Sequence, residues 1–233
     1  MQSIVGGSQF RIAAAAAAVA ACFGLGAAPA ARAQVGGRIT VTEAGGKAAA
    51  DVGNAVVWLE GRGPRGAPAR ATMTLDGRSF SPRVIVVPVG STVTFPNRDP
   101  FNHNVFSLSD GNEFDLGLYA RGESAEHRFR RAGVVRVYCN IHPRMSGFVV
   151  VRDNAYYAQP GADGSYDIPS VAPGSYVLHV WHERAPEVTR EIAVPAGGLS
   201  WQDVALDASG YRYIQHMNKY GQEYGSGATR ERY

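Results

Sequence analysis

Residues 133–145 read GVVRVYCNIHPRM, a strand pattern followed directly by a short loop. Its first seven residues are rich in β-branched side chains and are typical of a strand. The loop that follows leads to a second candidate strand, Phe148–Arg152, and carries Cys139, His142 and Met145 at the spacing Cys-x2-His-x2-Met. A helix would not present these three side chains on one face, whereas a loop between two strands can gather them around one ion. The stretch therefore predicts two strands joined by a metal-binding loop.

The rest of the 233-residue chain has the same β character. From Gln34 onward, Gly and Pro separate short β-branched segments, eleven of which are candidate strands. Many short strands with frequent turns are typical of β-sandwiches, so we predict an all-β protein. With 45% hydrophobic and 18% charged residues the chain should fold, and a net charge of only +3 excludes an electrostatic nucleic-acid binder.

The loop residues form a ligand set that suits copper. A thiolate, an imidazole and a thioether are soft ligands, and a trigonal site needs a second histidine. His103, which lies 36 positions before Cys139 at the start of a candidate strand, can supply it. Zinc also accepts Cys and His, but the thioether of Met145 favours copper. Four such ligands leave no open position for substrate, so we expect an electron carrier and not an enzyme.

These residues resemble those of the cupredoxins, the small blue-copper family that includes plastocyanin and amicyanin. The resemblance covers Ala71–Arg152 and rests on the ligand loop, on the run His103-Asn104-Val105 and on the strand Ser91–Phe95. It implies a Greek-key β-sandwich with one copper ion that cycles between Cu(II) and Cu(I). The resemblance implies that His103 and His142 bind through ring nitrogens, that Cys139 binds as the thiolate and that Met145 is a long axial ligand. It also implies that Asn104 ties the two ligand loops together by hydrogen bonding.

The family also implies that His142 reaches the surface through an apolar patch and passes electrons there. The candidates for that patch are Pro143, Met145, Pro100 and Phe101. Between Arg70 and Arg152 there are eleven arginines and seven acidic residues, so a redox partner with an acidic surface would be attracted. The sequence does not identify the electron donor or acceptor.

A copper-delivery protein without an electron-transfer role is the alternative function, and an interaction module with a decayed site is a third reading.

The sequence around this block resembles the transthyretin-like sandwich of carboxypeptidase regulatory domains. The resemblance rests on Ala55–Leu59, Asp163–Ile168 and Val171–Leu178. We therefore divide the chain into N-terminal strands (34–66), a cupredoxin domain (67–153) and a second small β-sandwich (154–207). Insertion of the cupredoxin domain into the second sandwich is the favoured arrangement, and a plain tandem is the alternative.

The two ends of the chain differ from the middle. Residues 1–33 combine Arg11, an apolar stretch and the sequence Ala31-Arg32-Ala33, which is the pattern of a cleaved export signal and predicts a periplasmic protein. The alternative is a lipoprotein acylated at Cys22. No later apolar run is long enough to span a bilayer. Residues 208–233 are rich in tyrosine, and we expect them to be disordered or draped on the surface.

The two readings of the N-terminus predict different masses for the exported protein. Cleavage after Ala33 gives a chain of 200 residues that begins at Gln34, with Cys139 as its single cysteine. We expect intact-mass spectrometry of the exported protein to give this unmodified mass. A mass that corresponds to a lipid-modified N-terminus at Cys22 would contradict the soluble form.

Overall fold

The structure is a computed structural model, and it describes residues 33–224. The first nine strands are β1 (Ala33–Thr42), β2 (Val56–Glu60), β3 (Arg70–Thr72), β4 (Thr74–Asp76), β5 (Ser79–Ser81), β6 (Val84–Pro88), β7 (Thr92–Pro96), β8 (His103–Ser107) and β9 (Phe114–Tyr119). The other nine are β10 (Ser124–Arg128), β11 (Gly133–Cys139), β12 (Ser146–Arg152), β13 (Tyr157–Ala158), β14 (Ser165–Val171), β15 (Gly174–His182), β16 (Ala185–Val194), β17 (Leu199–Trp201) and β18 (Val204–Asp207). Two short 3-10 helices, Ala44–Gly46 and Val52–Asn54, lie between β1 and β2. The prediction of an all-β fold is confirmed.

Parts of the two ends lie outside the described residues. These are the expected export signal up to Arg32, the alternative acylation site Cys22 and residues 225–233 of the tyrosine-rich tail. Within residues 33–224, no helix has the length and apolar character that a membrane crossing requires.

The strands β3 to β12 form a central sandwich. One of its sheets has the order β6-β12-β11-β8-β9, the other has the order β10-β7-β3, and β4 pairs with β5 in a hairpin. Neighbours in the larger sheet are antiparallel, except that β6 runs parallel to β12. A buried apolar core fills the space between the sheets and includes Phe95, Val137, Cys139 and Met145. The cysteine and the methionine of the ligand loop therefore belong to this core.

The remaining strands form a second sandwich, which we call the flanking sandwich. One sheet joins β14, β1 and β17, with β18 also paired to β1, and the other has the order β13-β2-β15-β16. Each sheet thus combines an N-terminal strand with strands that follow the central sandwich in sequence. A separate core, which includes Ile39, Leu59, Ile168 and Leu178, holds the two sheets together.

A third apolar cluster joins the two sandwiches. Strand β2 is buried on both faces, because Val57 and Leu59 point into the flanking core while its alternate side chains point the other way. Those alternate side chains meet residues of β6 and β12: the cluster comprises Val56, Trp58, Val84, Phe148 and Val150. The larger central sheet therefore packs face to face on the sheet that contains β2.

The two connections between the sandwiches run side by side. The N–H of Ala155 donates to the carbonyl of Pro64 at 2.9 Å, and Arg65 forms an antiparallel bridge with Asn154. The side chain of Asn154 donates to the carbonyl of Leu59 at 2.9 Å. The chain therefore leaves and re-enters the flanking sandwich at one place.

A partly buried ion pair also links the two sandwiches. Arg83 lies just before β6, and its guanidinium contacts the carboxylate of Glu183, which lies just after β15 and is only 5% exposed. The third nitrogen of the same guanidinium, Nη1, donates to the carbonyl of Ser146 at 3.0 Å. Because Ser146 follows Met145, this contact ties the flanking sandwich to the end of the ligand loop.

Replacing Glu183→Gln should destabilise the protein by about 2 kcal/mol, because it leaves a partly buried guanidinium without its charged partner. The measurement is urea unfolding of the metal-free protein. The matched control is Glu191→Gln, at an exposed position of β16. Equal unfolding midpoints for the two variants would contradict a stabilising role for the ion pair.

Candidate metal centre

Strand pairing places the first histidine beside the cysteine. Strands β8 and β11 are antiparallel, with Cys139 opposite Val105 and Tyr138 opposite Phe106. His103 begins β8 and Cys139 ends β11, so both lie at the same edge of the sheet. This pairing brings together two residues that lie 36 positions apart in the sequence.

A tight loop brings the other two residues to the same place. The N–H of Met145 donates to the carbonyl of His142 at 2.9 Å, and the N–H of Cys139 donates to the carbonyl of Met145 at 3.2 Å. These two bonds close the loop on itself immediately before β12. Met145 is 2% exposed and packs in the same core as Cys139.

Three ligand atoms converge at this edge. The Nδ1 atom of His103 lies 3.4 Å from the Sγ atom of Cys139, and the Nδ1 atom of His142 lies 3.5 Å from the same sulfur. All three atoms lie within 4.8 Å of one another. Metal–ligand bonds of about 2.0 to 2.3 Å place the ligands of a trigonal site about 3.5 Å apart, so the three residues fit one ion. Within residues 33–224 this is the one group of three His, Cys, Asp or Glu ligands that comes together.

Of the three converging residues, only one histidine is accessible to solvent. Neither Cys139 nor His103 is exposed, whereas His142 is half-buried. Burial raises the pKa of the Cys139 thiol, and backbone N–H groups, including that of Asn104, offset part of this rise. Burial also lowers the pKa of His103, which favours the neutral imidazole that a metal requires.

A buried carboxylate that the sequence analysis did not single out orients His103. The Oδ2 atom of Asp99 lies 2.8 Å from Nε2 of His103, which leaves Nδ1 directed at the sulfur. Burial alone would raise the pKa of Asp99, but hydrogen bonds from the N–H groups of Arg78 and Gly77 and from His103 hold it below its usual value. The carboxylate is therefore ionised, and a carboxylate–histidine pair of this kind fixes a metal ligand and makes it more basic.

Asn104 contacts the cysteine through its main chain and a neighbouring strand through its side chain. Its side-chain nitrogen donates to Asp115 at 2.6 Å and to the carbonyl of Gly117 at 2.9 Å, both in β9. The contact of Asn104 with the cysteine comes instead from its main-chain N–H. Its side chain thus ties the start of β8 to the neighbouring strand.

The surface around His142 also differs in part from the expected patch. Met145 is buried and does not contribute to it. A shallow depression of about 360 Å³ is lined by Phe101, Asn102, Leu118, Ile141 and His142. The ring of Phe101 lies 5.3 Å from each histidine ring, and Leu118 is 60% exposed. Of the predicted patch residues, Phe101 lines this depression.

The central sandwich corresponds to a known family. Residues 70–152 match the copper binding proteins of the plastocyanin/azurin family. This family binds copper, and His103, Cys139 and His142 are the candidate ligands in this chain. No curated protein matches the chain.

Three solved structures resemble part of the chain. A purple cupredoxin from Nitrosopumilus maritimus is 31% identical over 35% of this chain and 99% of that chain, with a TM-score of 0.33. A copper-containing nitrite reductase from Thermus scotoductus SA-01 is 30% identical over 37% of this chain and only 23% of that chain, with a TM-score of 0.35. A reduced amicyanin variant is 24% identical over 41% of this chain and 98% of that chain, with a TM-score of 0.34. All three TM-scores are below 0.5, so the family match alone assigns residues 70–152.

Replacing Asp99→Asn should raise the reduction potential of the copper-loaded protein and weaken Cu(II) binding about tenfold, because the ionised carboxylate beside His103 stabilises the more highly charged ion. Redox titration measures the potential, and competition with a Cu(II) chelator measures the affinity. Asp76→Asn, which removes an exposed carboxylate at the end of β4, is the matched control. The same potential in both variants would contradict the proposed effect of Asp99.

Proposed function

We propose that this chain, whose residues 70–152 form a cupredoxin domain of the plastocyanin/azurin family, is an exported electron carrier with one type 1 copper ion. The observation that carries the proposal is the convergence of one thiol and two imidazoles, of which only the imidazole of His142 is partly exposed. In this proposal His103 and His142 would hold the ion through Nδ1, Cys139 would hold it as the thiolate, and Met145 would be a weak fourth ligand. Copper held by such ligands changes between Cu(II) and Cu(I) with little rearrangement.

The protein residues have three tasks in this function. The core around Cys139 excludes water from the sulfur, since the side chain has no exposed surface. Asp99 holds the orientation of His103, so the ring need not turn when the ion changes charge. His142 joins the buried centre to the depression beside Phe101 and Leu118, which is where we place electron exchange with a partner.

The charge of the cupredoxin domain suggests an acidic redox partner. Arg98 and Arg144 are exposed and belong to the two segments that carry the site. Exposed positive charge around an apolar patch attracts a partner of opposite charge and accelerates encounter. The excess of arginine over acidic residues gives this domain a net positive charge, which also favours an acidic partner.

We also propose that the cupredoxin domain, residues 67–153, is inserted into a transthyretin-like sandwich made of residues 34–66 and 154–207. Support comes from the pairing of β1 and β2 with strands after residue 153 and from the paired connections at Pro64 and Ala155. The signal-like sequence of residues 1–33 supports export to the periplasm.

Copper delivery is supported less well than electron transfer. Ligand exchange with another protein requires accessible donor atoms, whereas His103 and Cys139 have no exposed surface and Met145 is 2% exposed.

A catalytic role also lacks support, because four protein ligands leave no position for substrate. The nitrite reductase matches this chain over only 23% of its own length, so its activity is not carried over.

The visible and EPR spectra of the protein after addition of Cu(II) test the metal site. We expect an intense blue thiolate-to-copper band that disappears on reduction and is absent in Cys139→Ser. His179→Gln, which changes a histidine of the flanking sandwich that contacts Glu60 and Glu187, should keep the band. A colourless Cu(II) protein would overturn the electron-carrier function.

Repeated reduction and reoxidation in the presence of a Cu(I) chelator separates electron transfer from delivery. A carrier should regain its blue band in every cycle. Loss of copper to the chelator after the first reduction would favour delivery.

A further inference from the structure

The chain after β18 crosses from the flanking sandwich to the ligand loop. Ala208 is 5% exposed, and its N–H donates to the carbonyl of Thr42 at 2.8 Å, which fixes the point of departure. The N–H of Tyr211 then donates to the carbonyl of Ala208 at 3.0 Å. Residues 211–224, which we call the C-terminal strap, have no helix or strand, yet they make repeated contacts with the cupredoxin domain.

The strap contacts the ligand loop along its length. Four of its polar groups meet carbonyl or amide oxygens of residues 139–143. These contacts are Tyr213 Oη to Pro143 O at 3.2 Å, His216 Nε2 to His142 O at 3.4 Å, Lys219 N to Asn140 Oδ1 at 2.8 Å and Tyr224 Oη to Cys139 O at 3.4 Å. The strap therefore contacts the main-chain carbonyls of two ligand residues, Cys139 and His142.

Aromatic packing holds the middle of the strap in place. The ring of His216 stacks on Tyr138 with a centroid distance of 4.3 Å and an interplanar angle of 22°. It also meets the edges of Phe106 at 6.0 Å and Tyr224 at 5.5 Å. Tyr138 precedes Cys139 in β11, so this packing lies on the face of the strand opposite the thiol.

The strap also reaches the segment that carries the first histidine. The ammonium of Lys219 lies 2.6 Å from Oδ2 of Asp115, whose Oδ1 accepts from the side chain of Asn104. Because Asn104 follows His103, Lys219 is connected to both ligand-bearing segments, through Asn140 on one side and Asp115 on the other. The two segments belong to different strands, and Lys219 contacts residues of both from outside the sheet.

The internal bonds of the ligand loop lie on its inner side. Within residues 139–145, two main-chain bonds close the loop at Met145, and the N–H groups of Ile141 and His142 contact the Cys139 sulfur. A metal site requires its ligands to be held within about 0.5 Å of the binding geometry, which usually depends on contacts outside the ligand set. The strap supplies such contacts to the outer side of the loop.

We propose that the C-terminal strap is a positioning element that holds the copper ligand loop in its binding shape. It retains copper by slowing the opening of the loop. The proposal rests on the metal site proposed above. It gives the flanking sandwich a role at the site, because the anchor of the strap at Ala208 belongs to that sandwich.

The first test compares full-length variants. The combined replacement of Tyr213→Phe, His216→Ala and Lys219→Ala removes two of the four loop contacts and the ion pair between Lys219 and Asp115. It should speed Cu(I) loss to a chelator about tenfold. Amide exchange at Met145 in the metal-free protein should also become faster, since its bond reports loop closure. Ile214→Ala, at a strap position that is 84% exposed, is the matched control.

Two truncations provide an independent comparison. Removal of residues 211–233 should reproduce the fast copper loss, whereas removal of residues 225–233 alone should not. If the full-length protein forms a blue site but the strap variants release copper at its rate, the strap proposal is overturned and the electron-carrier function stands. If the full-length protein forms no blue site while amide exchange at Met145 still rises in the strap variants, the electron-carrier function fails and the strap is shown to hold the loop.

Discussion

The antiparallel pairing of β8 with β11 is the constraint on which the metal centre depends. It sets Cys139 opposite Val105, and the side chains of a strand alternate between its two faces. A register shift of one residue would turn the thiol out of the core and bring Tyr138 in. Burial of Val135 and Val137 on the same face as Cys139 opposes that shift, because it would expose both. The apolar core thus selects the register, and the register brings the thiol to His103.

The second feature of this architecture is support of the ligand loop from outside the cupredoxin domain. The shared cluster around Trp58 and Phe148 fixes the flanking sandwich against the larger central sheet. Arg83 then contacts both Glu183 of that sandwich and the carbonyl of Ser146, at the end of the loop. The centre is therefore connected to a second hydrophobic core, which adds to the restraint that its own sheet provides.

Sequence patterns predicted the elements that are specified by residues close together in the chain. Strand β11 and the ligand loop were predictable because β-branched residues and the Cys-x2-His-x2-Met spacing lie within 13 residues. Strands β9 and β14 have weaker sequence patterns, because Gly117, with a φ of 72°, interrupts the first and Pro169 lies within the second. The role of Asp99 could not be predicted, because it depends on N–H groups that the β4–β5 turn presents. The contacts of the tyrosine-rich tail depend on a surface that exists only after both sandwiches have folded.

The arrangement also limits how a partner can approach the copper site. The flanking sandwich covers the outer face of β6 and β12, and the strap lies behind Tyr138 and along the outer side of the ligand loop. His142 lines the depression at Phe101 and Leu118, where we place electron exchange. If electrons enter and leave through the same histidine, donor and acceptor compete for one surface and cannot bind together. The protein would then act as a shuttle that dissociates from one partner before it meets the next, which favours weak, charge-steered encounters over a stable ternary complex.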